Sequence, residues 1–189
     1  VNDPYGPGAD GMCISEGGAA VALEMSAEPG IYVKDYLVNS DAYSPLGMPE
    51  DGKGMGALLE GVLRNWDGSV PLTVCPHASG TAGNAASERA ALKRVFGGCL
   101  PDLRMMKPWT GHAIGGSGIL ELALMLAFIR EGVLPPNPEW VSSPDGGVSS
   151  AEELPLQGRR LLVKSAASMG GHNVVLSLAV DGHSYYEES

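Results

Sequence analysis

The sequence predicts an α/β fold in which a mixed sheet is layered between helices, and three observations carry that reading. Two consecutive units, residues 72–96 and 103–131, each run a short apolar strand into a loop and then into a helix closed by glycine. A closing pair of apolar strands, 160–164 and 174–180, is joined by the turn MGGHN at 169–173. The composition is globular: 44% of the 189 residues are hydrophobic and only 18% are charged, which excludes a disordered tail or a coiled coil.

Taken in order, the apolar run at 19–23 follows a glycine-bearing turn and reads as a buried strand. A second strand, 31–38, follows the turn Pro29-Gly30. In 54–66, Met55, Leu58, Leu59, Val62, Leu63 and Trp66 recur at helical spacing, so the segment reads as an amphipathic helix. Strand 72–75 leads through the small-residue loop 77–84 into a helix over 85–96 that Gly97-Gly98 stops. Strand 103–107 leads through loop 108–118 into an apolar helix over 119–131, closed by Gly132. Residues 135–158, rich in Pro, Ser and Gly, form a long excursion before the closing strands. No internal boundary is visible, and in this layer type sites sit beyond the carboxyl ends of the strands.

Charge and cysteine usage narrow the function classes. Lys and Arg number 12 against 22 Asp and Glu, a net charge of -10, so the basic footprint that nucleic acid requires is missing. The most apolar stretch, 119–129, is about half of the roughly 20 residues that span a bilayer and contains Glu121, so no membrane partner is expected. Cys13, Cys75 and Cys99 are an odd, sparse set, which points to a reducing, cytoplasmic setting. The 27 glycines and 14 prolines favour a site built from loops that the backbone lines closely. The chain opens at Val1 in the loop VNDPYGPGADG, an opening expected to follow further sequence that is removed or separate.

Two loops hold the residues with chemical potential. His77, in PHASGTAGNAASE, follows a strand and has the hydroxyls of Ser79 and Thr81 nearby in sequence. Two readings stand for it: a ring facing a cleft, or one that satisfies a buried carbonyl, with the hydroxyls acting as helix caps. Lys107 and His112, in MKPWTGHAIGGSG, precede a helix and would form a cationic, amide-rich spot able to hold a developing oxyanion. The alternative pairs Lys107 with a core carboxylate such as Glu121. Neither phosphate-loop pattern is present, Ser117 misses the GxSxG elbow by one position, and Cys75 with His77 is too small a set for zinc. None of the cysteines sits at a helix N-terminus that would generate a thiolate, no metal or cofactor is expected, and His172 and His183 read as structural or surface residues.

Four segments, in order, resemble the β-ketoacyl-acyl carrier protein synthases, condensing enzymes of the thiolase fold. The family's RDGxxxGEGAxxxxLE appears as ADGMCISEGGAAVALE, HGTxTxxxDxxE as HASGTAGNAASE, KxxTGHxxGAAG as KPWTGHAIGGSG, and GFGGxN as SMGGHN. The resemblance covers nearly the whole chain but only the carboxyl-terminal half of the family. It implies a thiolase-like carboxyl-terminal half over 1–189, with the amino-terminal half and its nucleophilic Cys absent. By the same resemblance His77 and His112 match the active-site histidines, Lys107 and Glu121 their supporting pair, and Ser79 and Thr81 the hydroxyls that hold pantetheine. By the same resemblance a backbone amide near Met169 would help form the oxyanion hole for acyl transfer, with Met169 and Gly170 counted among the substrate-binding residues.

The implied activity is decarboxylative condensation of an acyl thioester with malonyl-acyl carrier protein, in fatty acid or polyketide synthesis. The implied partners are an acyl carrier protein, the missing half or a ketosynthase subunit, and a dimer mate. The departures are Ala78 for Gly, Ala85 for Asp, and Ala167 with Met169 in place of the Phe gate. They keep two alternatives open: a non-catalytic partner of the chain-length-factor type, and an acyl-pantetheine binding module. Alone, the chain holds two matching histidines and no thiolate.

Overall fold

The computed structural model describes residues 2–145 and 150–181. Its elements are β1 (Ile31–Ser40), α1 (Lys53–Val62), β2 (Leu72–Cys75), α2 (Ala82–Phe96), β3 (Asp102–Leu103), α3 (Lys107–Thr110) and α4 (Ser117–Arg130). They continue with β4 (Val133–Leu134), β5 (Leu154–Pro155), β6 (Arg160–Ser168) and β7 (His172–Val180). The main sheet has the order β1-β7-β6-β2-β3. β7 is antiparallel to β1 and β6, while β2 runs parallel to both β6 and β3, so the sheet is mixed as its sequence implies.

Strand alternation sorts the core onto two faces. Leu72 and Val74 of β2, Leu161 and Val163 of β6, and Val175 of β7 pack against α1 and α2, where Met55, Leu58, Leu59, Val62, Ala91 and Leu92 meet them. The intervening positions, Cys75, Leu162, Leu178 and Val180, pack on the opposite side against Met125 and Ile129 of α4. Helices thus cover both faces, and the parallel strands β2 and β3 end where α2 and α3 begin.

Several elements differ from their sequence reading. Residues 19–23 form no strand: the segment from 15 to 27 has no regular secondary structure and is largely exposed, with Leu23 77% and Met25 101% accessible. Apolar alternation makes a strand only when a neighbour accepts its hydrogen bonds, and the one bridge nearby is Ile14 with His112. The strand read at 103–107 ends at Leu103, because Pro108 suits the first turn of a helix and α3 starts at Lys107. The helix read to Trp66 ends at Val62, and the Trp66 indole donates to the Val70 carbonyl at 2.8 Å. The second helix begins three residues before Ala85, because Thr81 caps it. The long excursion carries β5, which pairs with β4, the two-residue strand just before the excursion begins. His183 lies outside the described residues.

Candidate active site

His77 follows the carboxyl end of β2, two residues beyond Cys75. Its loop is pinned from below by Glu88 of α2, a buried carboxylate that accepts the backbone N–H of His77 at 2.5 Å and of Ala78 at 2.9 Å. Glu88 also accepts the Tyr5 hydroxyl at 2.7 Å and the Ser165 hydroxyl at 3.3 Å. Both tie the loop to neighbouring elements. Ala78 holds φ +47°, the left-handed region that costs a residue with a Cβ about 1–2 kcal/mol.

His112 follows α3 through Gly111. Gly111 has φ +71°, and a Cβ there would stand 2.7 Å from the Ser15 Cβ, so only glycine lets the amino-terminal segment approach. That segment holds the His112 backbone from both sides: His112 N–H donates to the Cys13 carbonyl at 2.7 Å, and Ser15 N–H donates to the His112 carbonyl at 3.1 Å.

The two loops bring the imidazoles edge to face, with ring centroids 5.4 Å apart and planes at 81°. Each ring has donors at Nδ1. For His112 these are the Ile114 backbone N–H and the Ser117 hydroxyl, both at 3.0 Å. For His77 the Lys107 ammonium lies at 3.5 Å. Amides and ammonium ions only donate, so each Nδ1 accepts and the proton of each neutral ring sits on Nε2. Burial, followed by the charges of Lys107 and Lys164, holds His77 well below the usual imidazole range. Burial and then Lys107 lower His112 as well, against the opposing pull of Glu121. The arrangement presents two neutral Nε2–H donors side by side.

Lys107 and Glu121 form the expected pair, both buried, with Nζ 2.5 Å from Oε1. Lys107 also donates to the His77 carbonyl at 2.5 Å, so its hydrogen bonds go to His77 and Glu121, while its charge reaches His112 as well. The reason is topological: Lys107 opens α3 beside the end of β2, while His112 lies beyond the far end of that helix. Thr81 is the N-cap of α2, accepting the Asn84 N–H at 3.3 Å, and the hydroxyls of Ser79 and Thr81 lie 3.1 Å from each other. Thr81 thus caps α2, while among the described residues the Ser79 hydroxyl meets only the Thr81 hydroxyl and N–H. Met169 and Gly170 lie on the β6–β7 turn, with Met169 61% exposed. The Gly170 N–H donates to the Pro45 carbonyl at 2.8 Å. His172 is exposed, as read.

Cys75 is buried, and burial pushes its thiol up to about 11; Cys13 and Cys99 are free and exposed. Among the described residues no group of three or more His, Cys, Asp or Glu comes together to hold a metal, and no helix is long and apolar enough to cross a membrane.

Residues 31–140 match the family model of the β-ketoacyl synthase C-terminal domain. The chain belongs to that family. It is 29% identical to 3-oxoacyl-[acyl-carrier-protein] synthase 2 of Synechocystis sp., over 92% of this chain and 45% of that protein. It is 32% identical to the tetracenomycin polyketide synthase ketoacyl synthase alpha subunit of Streptomyces glaucescens, over 70% of this chain and 34% of that one. The chain thus spans less than half the length of these relatives. Its fold matches a ketosynthase solved in complex with its chain length factor from Xenorhabdus doucetiae, with TM-score 0.65 and 25% identity over 81% of this chain and 40% of that one. A type II polyketide ketosynthase in complex with its acyl carrier protein superposes with TM-score 0.66 at 21% identity, covering 77% of this chain and 37% of that chain.

Within this β-ketoacyl synthase C-terminal domain, three residues at the histidine pair were not assigned from sequence. Glu88 closes the motif that carries His77, and its spacing of eleven residues from His77 is the signal that could have exposed it. Ser117, in sequence only a near-miss to the nucleophile elbow, serves instead as a donor to His112. Lys164 gave one signal, a cation inside the otherwise apolar run LLVKSAA.

Proposed function

We propose that this chain supplies the histidine half of a decarboxylating condensing centre. The observation that carries the reading is the pair of imidazoles at 5.4 Å, each accepting at Nδ1 and so presenting Nε2–H. Two such donors can converge on one thioester oxygen, which becomes an enolate oxygen as carbon dioxide leaves a malonyl thioester. Preorganised donors aimed at developing charge are worth about 2.7–4 kcal/mol each. A neutral ring is the right state for this task, and Lys107 favours it electrostatically.

The acyl-carrying thiolate comes from elsewhere in this scheme: the complementary amino-terminal half, the dimer mate or a ketosynthase subunit. Cys75 is buried with a raised pKa, and neither Cys13 nor Cys99 lies at a helix N-terminus. The substrate is carried on the phosphopantetheine of an acyl carrier protein, which Ser79 and Thr81 would meet. The setting is the cytoplasm, in keeping with three free thiols.

The test combines the chain with a complementary half that bears the nucleophile and follows both carbon dioxide release and acyl transfer. His112→Ala should reduce decarboxylation by about 100-fold or more while acyl transfer falls less, since backbone amides hold the acyl oxyanion. Equal loss in both steps would remove the assigned role. The chain alone should form no acyl adduct on Cys13, Cys75 or Cys99, and a stoichiometric adduct would refute the division of labour.

A second reading, the chain-length-factor type, draws on Ala85 where the family has Asp and on Ala167 with Met169 where it has the Phe gate. It predicts that replacing both His77 and His112 by Ala leaves condensation by a partner ketosynthase unchanged. Under the first reading, the same double variant abolishes it.

A further inference from the structure

β6 buries a lysine in mid-strand. Its residues from 161 to 165 are all buried, and Lys164 is only 5% exposed. Lysine is almost never enclosed in this way unless it is paired, because desolvating an ammonium costs several kcal/mol. Alternation places Lys164 on the same face as Leu162, toward α4, and there it meets Glu121: Nζ lies 3.0 Å from Oε2. The ammonium also donates to the Ser165 carbonyl at 2.5 Å and to the Pro76 carbonyl at 3.4 Å.

Those contacts interlock with those of Lys107. One carboxylate is shared between two ammonium ions, with Oε1 on Lys107 and Oε2 on Lys164. The same two ammonium ions hold consecutive backbone carbonyls, Pro76 by Lys164 and His77 by Lys107. No conventional hydrogen bond reaches Glu121 Oε2 among the described residues, so the ionic contact with Lys164 is what fixes that oxygen. Without it a fully buried carboxylate would be free to turn away from Lys107.

We propose that Lys164 is a positioning residue of the histidine pair: by holding Glu121 Oε2 it keeps Oε1 on Lys107 and so keeps Lys107 against His77. Its charge adds a second effect. The groups that bear on His77 are Lys107 from α3, Lys164 from β6 and His112 from the following loop, with Glu88 from α2 on its backbone, while Glu121 from α4 and Cys75 from β2 act on Lys107. Two of these are buried cations, and both oppose a proton on His77. Lys164 itself stays charged, since Glu121 and then Cys75 outweigh the lowering by burial. The consequence for decarboxylation rests on the function proposed above, but the effect on the imidazoles does not.

The experiment uses the full chain, in whatever assembly it forms, with Lys164→Met and Lys164→Arg. Imidazole nitrogen resonances of His77 and His112 are followed against pH, and carbon dioxide release from malonyl-acyl carrier protein is profiled over the same range. Lys164→Met should move the His77 midpoint to higher pH and carry the acid limb of the decarboxylation profile with it, while Lys164→Arg keeps both near the wild-type positions. A folded Lys164→Met with wild-type midpoints overturns the proposal, as does failure of both variants to fold, which would make Lys164 purely structural. If the midpoint moves in a chain that releases no carbon dioxide, the positioning role stands and the proposed function falls. If decarboxylation proceeds with unmoved midpoints and an unmoved profile, the reverse holds.

Discussion

His77 is a buried base beside two ammonium ions, and this sets how the chain responds to acid. Its folded pKa is depressed well below the usual value by burial, Lys107, Lys164 and His112, in that order, while an unfolded histidine titrates near about 6.5. Between those two values the unfolded chain binds more protons than the folded one, so stability rises with pH across the window and is lost as pH falls below about 6.5. His77→Gln, which cannot take up that proton, should flatten the dependence of the urea midpoint on pH below neutrality. An unchanged slope would assign the acid loss to other groups. Ile114 shows how a single backbone angle serves the site: at φ +48° it turns its N–H onto His112 Nδ1 and fixes the tautomer that the proposed chemistry needs.

The contact between α1 and α2 depends on one glycine. Gly52, the N-cap of α1, has φ +56°, and a Cβ there would lie 2.2 Å from the Ser87 carbonyl oxygen and 2.7 Å from the Ala91 amide nitrogen, both backbone atoms of α2. Neither can yield without separating the helices. Gly52→Ala should therefore destabilise the chain by about 3 kcal/mol, from backbone strain and overpacking together. Gly68→Ala is the control, with φ +80° but open space around it, and strain alone should cost about 1 kcal/mol. Equal urea midpoints for the two variants would show that α2 accommodates the Cβ. The face that α1 buries was legible in advance, because Met55, Leu58, Leu59 and Val62 follow the helical period and are all buried. The nature of α3 was not, because four residues are too few for a period to show.

At the scale of the molecule, much apolar surface is exposed among the described residues. Leu23 and Met25 are exposed, as are Val33, Tyr36 and Val38 of β1, one edge strand of the sheet. Apolar residues gathered in this way on an unpaired edge mark an interface. The chain is therefore expected to associate, with its complementary half or with another subunit. Native mass spectrometry or sedimentation should show little free species at 19.6 kDa; a compact, unassociated monomer would defeat the expectation.

The sequence by itself determined the layered α/β class, the family, and the two loops that carry His77 and His112, because these follow from local periodicity and from short motifs whose order survives without coordinates. Through the resemblance it also offered Lys107 and Glu121 as a pair, and the two are in contact. Only the tertiary structure decided that the Lys107 hydrogen bonds go to His77 and Glu121, that the Gly170 N–H donates to the Pro45 carbonyl, that Glu88 holds the His77 backbone and that Lys164 reaches Glu121. It also decided that residues 19–23 remain unpaired. The physical reason is the same in each case: a hydrogen bond or an ion pair is a property of two groups, and their partners here lie on other elements. A strand, a buried charge and an available amide are each defined by the neighbour that is present or missing, and the chain brings those neighbours together only when it folds.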